Sequence, residues 1–198
     1  MGEINAAAVA TLREMTGAGM MDAKKALVAS EGDLEKAAEA LRKSGITKAA
    51  SKSDRATNEG RVQTYIHANG KVGSMVEVLC ETDFVARTDA FIEFCKDLAM
   101  HVAASSPLYV TREQVPVEMV EKEKEIYRGE MEGQQKSAEI MEKIIDGKIN
   151  KFFSDVCLME QAFVKDEDKT VEEFVKEKIA TLGENIQVRR FARFSLGA

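Results

Sequence analysis

Histidine and cysteine are scarce in this chain of 198 residues, which has two of the first and three of the second. His67 and His101 lie far apart, and Cys80, Cys95 and Cys157 form no Cys-x-x-Cys pair. Zinc sites need such ligands in clusters at short spacing, so the sequence predicts no metal site. An odd number of separated cysteines, two of them on apolar stripes, is typical of reduced thiols in a core.

The chain also lacks long apolar runs and nucleotide-binding motifs. No stretch of about 18 apolar residues exists, and the start Met-Gly-Glu-Ile-Asn lacks the basic and apolar regions of a signal peptide, so we expect a cytoplasmic protein. No phosphate-binding Gly-x-x-x-x-Gly-Lys-Ser/Thr motif is present. We therefore expect no bound cofactor.

Basic residues are outnumbered, with 28 Lys and Arg against 34 Asp and Glu and a net charge of −6. This balance argues against a direct nucleic-acid partner and favours protein partners, and without a long apolar run we expect no membrane partner. Arg189, Arg190 and Arg193 alternate with Phe191 and Phe194 near the end of the chain, which in isolation suits base stacking. In an acidic chain such a strand is more typical of a solvated or acid-paired face.

Three short helices are predicted in the first 45 residues. Apolar residues fall at helical spacing over residues 3–15, 23–30 and 34–44, and Asp33 is a favourable cap for the third helix. This stretch resembles the ubiquitin-associated type of three-helix domain.

Residues 46–60 are small and polar without an apolar stripe, which is typical of a linker. We therefore predict an N-terminal domain at residues 1–45 and a core domain at residues 61–198. With 44% hydrophobic residues in the chain, both parts have material for a buried core.

An antiparallel hairpin is predicted at residues 61–80, because Asn69-Gly70 is a strong turn signal in which both central residues need positive φ. A helix over residues 89–104 should end at Ser105-Ser106-Pro107. Residues 186–196 form a last strand, which we expect to join the hairpin in a three-stranded antiparallel sheet. The predicted fold class is α+β.

Covering helices complete the predicted core. Residues 117–132 and 137–156 have helical spacing, which Gly147 interrupts, and Gly133-Gln134-Gln135 joins them as a helical hairpin. The hairpin either projects to bind a partner or covers the sheet as a solvated pair. A further helix ends at Gly183.

Residues 81–88 connect the predicted strand to the predicted helix and present an acid beside an aromatic, Asp83 and Phe84. Two interpretations are open. Either Asp83 caps a short turn and Phe84 packs beneath the helix, or both protrude as a contact for another molecule. Thr88 followed by Asp89 favours a helix start directly after the turn.

The loop at residues 16–22 is rich in glycine and methionine. It follows a predicted helix rather than a strand and lacks the third glycine of a dinucleotide-binding motif. Its glycines allow a sharp turn, and Met20 and Met21 are either core residues or an adaptable docking surface.

Three segments resemble one family. The string Thr82-Asp83-Phe84-Val85-Ala86, the loop at residues 16–22 with Leu12-Arg13 before it, and Gly183-Glu184-Asn185-Ile186 are similar to motifs of bacterial elongation factor Ts, so the resemblance runs nearly from end to end. Two differences remain. Thr88 stands where the family usually has Asn, and this chain has a single core module where longer members have two related halves.

The resemblance implies a guanine-nucleotide exchange factor for elongation factor Tu, which performs no covalent chemistry and is not an enzyme in that sense. It implies that the Asp83-Phe84 region enters near the Mg²⁺ and phosphate site of the partner's GTPase domain, which the N-terminal helices hold. The exchange residues that it implies are Thr82, Asp83, Phe84, Val85, Ala86 and Arg87. The N-terminal contacts that it implies are Arg13, Gly17, Gly19, Met20 and Met21. The single core module implies a homodimer, formed through a sheet edge or through the helical hairpin.

Two other functions are compatible with the residues alone. A non-catalytic binding module would use the three-helix domain for docking and the core for oligomerisation, without releasing nucleotide. A cysteine hydrolase would pair Cys80 or Cys157 with His67 or His101, but no activating arrangement is visible in the sequence. A nucleotide-release assay separates the first alternative from an exchange factor.

Overall fold

The computed structural model describes residues 5–131 and 137–197. The fold is α+β, as predicted. The helices are α1 Ala6–Thr16, α2 Met20–Ala29, α3 Leu34–Ala50, α4 Asp83–Ala86, α5 Asp89–Ser105, α6 Val117–Glu130, α7 Ala138–Val156 and α8 Val171–Leu182. The strands are β1 Glu59–Ile66, β2 Val72–Cys80, β3 Ala162–Phe163, β4 Asp166–Thr170 and β5 Ile186–Ser195. Short 3₁₀ helices lie at Arg112–Gln114 and Leu158–Glu160.

The chain divides into two compact units, each built from separate stretches of sequence. The first takes the described residues of Met1–Val62, Glu77–Cys95 and Glu173–Val188. The second takes those of Gln63–Val76, Lys96–Glu172 and Arg189–Ala198. The division into an N-terminal domain, a linker and a core domain stays a prediction.

The three N-terminal helices enclose a small apolar cluster of their own. Its buried members are Val9, Leu12, Ala23, Leu27 and Ala37. The Asp33 side chain accepts a hydrogen bond from the Lys36 N–H at 3.1 Å, which confirms the predicted cap of α3. α2 begins three residues before the predicted helix, and α3 continues through residues 46–50, the first part of the predicted linker. Gly45 lies within α3, where an added Cβ would lie 3.4 Å from the Cβ of Ala180 in α8.

β1, β2 and β5 form the predicted three-stranded antiparallel sheet, with β2 in the centre. The His67 N–H donates to the Val72 carbonyl at 2.9 Å and closes the hairpin between β1 and β2. The expectation of positive φ at both turn residues is wrong. Gly70 has φ 67°, but φ is not positive at Asn69. Asn69 instead accepts a hydrogen bond from the Lys71 N–H through its side chain, which builds a wider turn.

The central strand buries every second residue, as its alternating sequence predicts. Ser74, Val76, Val78 and Cys80 are buried. On the neighbouring strand, a Cβ at Gly60 would lie 2.2 Å from the Val78 carbonyl oxygen, so only glycine fits there.

α5 ends at Ser105, before Pro107, as predicted. The predicted interruption at Gly147 is wrong, because α7 runs unbroken from Ala138 to Val156. A glycine inside a helix costs only about 1 kcal/mol, which the packing of the surrounding turns can offset. The predicted joint at Gly133-Gln134-Gln135 lies outside the described residues.

α6 and α7 pack against each other through an apolar cluster. Its buried members are Met131, Ile145 and Ile149, with Val120, Tyr127 and Phe153 packed against them. A small antiparallel pair, β3 with β4, follows α7 and was not predicted. No described helix is both long and apolar enough to span a membrane.

Candidate partner-binding site

The junction after β2 is a single turn of helix, α4, with a threonine at its N-cap. Thr82 has extended backbone angles, and its hydroxyl accepts a hydrogen bond from the Val85 N–H at 3.4 Å. The Ala86 N–H donates to the Thr82 carbonyl at 3.2 Å. The predicted strand-to-helix junction is therefore present, and Thr82, not Asp83, is its cap.

Phe84 is the most exposed large apolar side chain among the described residues, with 81% of its surface accessible. Ala86, two positions later, is buried, and Val85 is partly buried, so α4 rests on these two residues and presents Phe84 outward. The interpretation in which Phe84 packs beneath the following helix is wrong. The exposed ring is available for contact with another molecule.

Asp83 and Arg87 form an ion pair across the exposed side of α4. The Arg87 Nη2 and Asp83 Oδ2 atoms are 2.9 Å apart, and both side chains are accessible to solvent. An exposed pair of this kind contributes little to stability, on the order of 0–1 kcal/mol. The pair places a charge of each sign on the same short helix as Phe84.

Thr88 fixes the other end of the turn. Its hydroxyl donates to the Val85 carbonyl at 2.8 Å, and the same oxygen accepts a hydrogen bond from the Phe91 N–H at 3.2 Å. Phe91 is fully buried in the first turns of α5. The predicted helix start at Thr88-Asp89 is confirmed, and it ties the exposed turn to a buried aromatic anchor.

The three thiols offer no nucleophile. Burial raises the pKa of Cys80 to about 11, of Cys95 to about 12 and of Cys157 to about 11. A catalytic cysteine has its pKa lowered instead, so the hydrolase interpretation gains no support. Within the described residues, no group of His, Cys, Asp and Glu has the arrangement of a metal site.

The N-terminal candidate residues lie in and around the loop between α1 and α2. The Gly17 N–H caps α1 by donating to the Arg13 carbonyl at 2.8 Å, with φ 65° at Gly17. Gly19 is the N-cap of α2, and Met20 and Met21 begin that helix with exposed side chains. The core interpretation of these methionines is wrong, because Ala23 and Leu27 fill the cluster beneath α2.

The predicted site residues thus lie in two segments of the first unit. Residues 82–87 share one helical turn, whereas the second segment runs from the end of α1 to the start of α2 and contains Arg13, Gly17, Gly19, Met20 and Met21. Glu184, to which the residue pattern assigns no role, accepts a hydrogen bond from Thr82. The only signal in the sequence was its place in the Gly183-Glu184-Asn185-Ile186 string.

Comparison with known proteins identifies the family. The family described as Elongation factor TS matches residues 6–198. Elongation factor Ts of Geobacter sulfurreducens is 59% identical over 194 residues, which cover 98% of this chain and 90% of the relative. The chain belongs to the elongation factor Ts family. Elongation factor Ts of Thermosipho melanesiensis is 56% identical over 98% of this chain and 99% of its own length, and that of Fervidobacterium nodosum is 53% identical over the same shares. This membership in the elongation factor Ts family confirms the resemblance of the motifs.

Proposed function

We propose that this protein promotes release of GDP from elongation factor Tu by inserting the Asp83-Phe84 turn near the Mg²⁺ and phosphate site of the partner's GTPase domain. Membership of the elongation factor Ts family supports the partner and the general exchange role. The observation that carries the finer mechanism is the 81% exposure of Phe84 on a turn held at both ends.

The turn supplies an apolar anchor beside two charges. Burial of a phenylalanine side chain is worth roughly 1.5–3 kcal/mol, and a distorted nucleotide site offers a place to bury it. If that energy is released only when the nucleotide site is distorted, it accelerates nucleotide release by about ten- to a hundredfold. No covalent bond is made or broken in this process.

The N-terminal loop serves as a second contact with the same domain. Arg13, Gly17, Gly19, Met20 and Met21 present a cation and two exposed, flexible apolar side chains. Such a contact holds the partner while the turn acts on the nucleotide site. Coupling between two ligands of one protein is reciprocal. If this protein lowers the affinity of elongation factor Tu for nucleotide by some factor, nucleotide lowers the affinity of elongation factor Tu for this protein by the same factor.

Release of fluorescently labelled GDP from elongation factor Tu tests the proposal. We expect catalytic amounts of this chain to accelerate release, and Phe84→Ala to remove most of the acceleration. Leu108→Ala is the matched control, because it also truncates an exposed large apolar side chain. A Phe84→Ala protein that exchanges GDP as fast as the parent overturns the mechanism. A protein that binds elongation factor Tu without releasing GDP would instead be the non-catalytic binding module.

We further propose that the chain acts as a homodimer. The single core module motivates this, and apolar side chains exposed on the strands of the second unit favour the sheet over the helical hairpin as the interface. These side chains are Ile66, Met75 and Phe194, and Leu196 is exposed directly after β5. A symmetric pair of sheets would remove this surface from water.

A further inference from the structure

A partly buried carboxylate from the end of the chain holds the start of the exchange turn. Glu184 lies between α8 and β5, and its Oε2 atom accepts hydrogen bonds from the backbone N–H groups of Glu81 and Thr82, each at 3.1 Å. Its Oε1 atom accepts the Thr82 hydroxyl at 2.6 Å. Hydrogen bonds to an ionised acceptor are about twice as strong as neutral ones, so these three bonds fix the backbone directly before α4.

The restraint is reciprocal, because the residue after β2 holds the segment that contains Glu184. The Oε1 atom of Glu81 accepts the backbone N–H of Asn185 at 2.6 Å. Asn185 is buried, and its side-chain amide donates to the carbonyl oxygens of Ser53 and Arg55, at 3.1 and 2.9 Å. Glu184 is therefore not a loose surface side chain but part of a network anchored on a third segment.

Glu184 also orients the cap of α4. A threonine hydroxyl has one hydrogen, and Thr82 donates it to Glu184. The lone pairs of the same oxygen then remain to accept the Val85 N–H. A helix of four residues has no stability of its own, so the conformation of α4 depends on this cap and on the backbone before it.

We propose that Glu184 is a positioning residue that holds the turn of Thr82–Ala86 ready to present Phe84 before the partner binds. The inference rests on the exchange role proposed above for that turn. Glu184 touches neither nucleotide nor partner in this scheme. It raises the fraction of free molecules in which the turn already has the conformation that binds the partner. The apparent affinity for the partner rises with that fraction.

The first test measures exchange as a function of the concentration of this protein. Glu184→Ala should raise the concentration that gives half-maximal exchange by about tenfold, since the competent fraction falls, and should leave the maximal rate within about twofold. Glu167→Ala is the matched control, because it removes the same charge from an exposed position on β4. Glu184→Gln should restore most of the affinity, because its one carbonyl oxygen can accept both backbone N–H groups.

A double-mutant cycle asks whether Glu184 acts through the turn. In the Phe84→Ala background, Glu184→Ala should change exchange by less than about twofold, because there is no longer an aromatic ring to position. Faster hydrogen exchange at the amides of Glu81 and Thr82 in Glu184→Ala gives a second readout that does not need the partner. Should Glu184→Ala fail to fold, Thr82→Val removes the shared hydroxyl with little change of shape and is measured in its place.

The outcomes separate the two proposals. Normal exchange by Phe84→Ala overturns the proposed function itself. Slow exchange by Phe84→Ala with an unchanged half-maximal concentration in Glu184→Ala overturns only the positioning role. Equal effects of Glu184→Ala with and without Phe84 would also overturn it, because Glu184 would then act elsewhere.

Discussion

The imidazole of His101 lies 3.0 Å from the side-chain oxygen of Gln161, and both residues are buried. The other ring nitrogen, Nδ1, accepts the backbone N–H of Val164 at 3.2 Å. Nδ1 therefore carries no hydrogen, and Nε2 is the nitrogen that donates to Gln161. Gln161 in turn donates to the carbonyl oxygens of Ser105 and Asp155, so the network is complete only while His101 is neutral.

Acid should destabilise this network. Burial lowers the pKa of His101 below its ordinary value, and the hydrogen bond to Gln161 only partly opposes the shift. The folded state then binds fewer protons than the unfolded state, so stability is full above about pH 6.5 and falls as pH drops towards the lowered pKa. The slope from this one group is at most about 1.4 kcal/mol per pH unit.

Melting temperatures between about pH 5 and 8 check that expectation. His101→Gln should lose part of the pH dependence, whatever it does to stability at pH 8. His67→Gln is the control, because it removes the other imidazole of the chain from an exposed position. An equal pH dependence in the parent and His101→Gln would contradict the assignment.

Phe84→Ala should leave the folded protein nearly as stable as the parent. The ring is exposed, so the free energy of unfolding should change by less than about 0.5 kcal/mol. A buried phenylalanine would cost roughly 3–5 kcal/mol, which chemical denaturation distinguishes easily. A large loss of stability would show that Phe84 packs in the core, and the exchange mechanism would then lose its basis.

Thr88→Asn should be tolerated, and Thr88→Ala should not. Asparagine caps helices at least as well as threonine, whereas alanine loses the bond to the Phe91 N–H at a cost of about 1 kcal/mol. For a chain of this size that corresponds to roughly 2–4 °C in melting temperature. Calorimetry of the two variants side by side shows whether the family's usual residue and this one are interchangeable.

Removing residues 1–45 should weaken binding to elongation factor Tu while the remainder still melts cooperatively. The apolar cluster of the first three helices is formed by residues before position 45, so the truncation removes that cluster as a whole. Binding is measured by titration, and folding by calorimetry of the truncated chain. If the truncated chain shows no cooperative transition, the predicted domain boundary at residues 46–60 is wrong.

Phe194→Ser should favour the monomer. The side chain is 72% exposed on β5, and its polar replacement makes pairing of two sheets less favourable. Ile126→Ser probes the helical hairpin in the same way, since Ile126 is exposed on α6. Sedimentation at about 10 μM decides between the two surfaces. If the parent chain sediments as a monomer at that concentration, the proposal of a homodimer is wrong.

Local capping and helix-ending residues made most of the fold predictable. Asp33 caps α3, Pro107 follows the end of α5, and Gly183 ends α8 with φ 81°. Each of these acts on its neighbours in sequence, where pattern and propensity operate. The prediction at Gly147 was wrong for the same reason. The energetic cost of a glycine in a helix is local, but the packing contacts that offset it come from α6.

Features that depend on distant residues were not predictable in this way. β3 and β4 are short, and the second of them, Asp-Glu-Asp-Lys-Thr, has no alternation of apolar residues. Glu184 contacts Glu81 and Thr82 across more than a hundred residues of sequence. Asp83 was a cap candidate by residue type, but Thr82 occupies that position, and its hydroxyl is bonded to the distant Glu184.

The burial of the three native thiols makes this chain convenient for fluorescence work. With pKa values of about 11 to 12, Cys80, Cys95 and Cys157 remain almost entirely as thiols at neutral pH and lie out of reach of a maleimide dye. A cysteine introduced at an exposed position such as Leu108 would take up the dye selectively. Association with a partner can then be followed by energy transfer without first replacing any native cysteine.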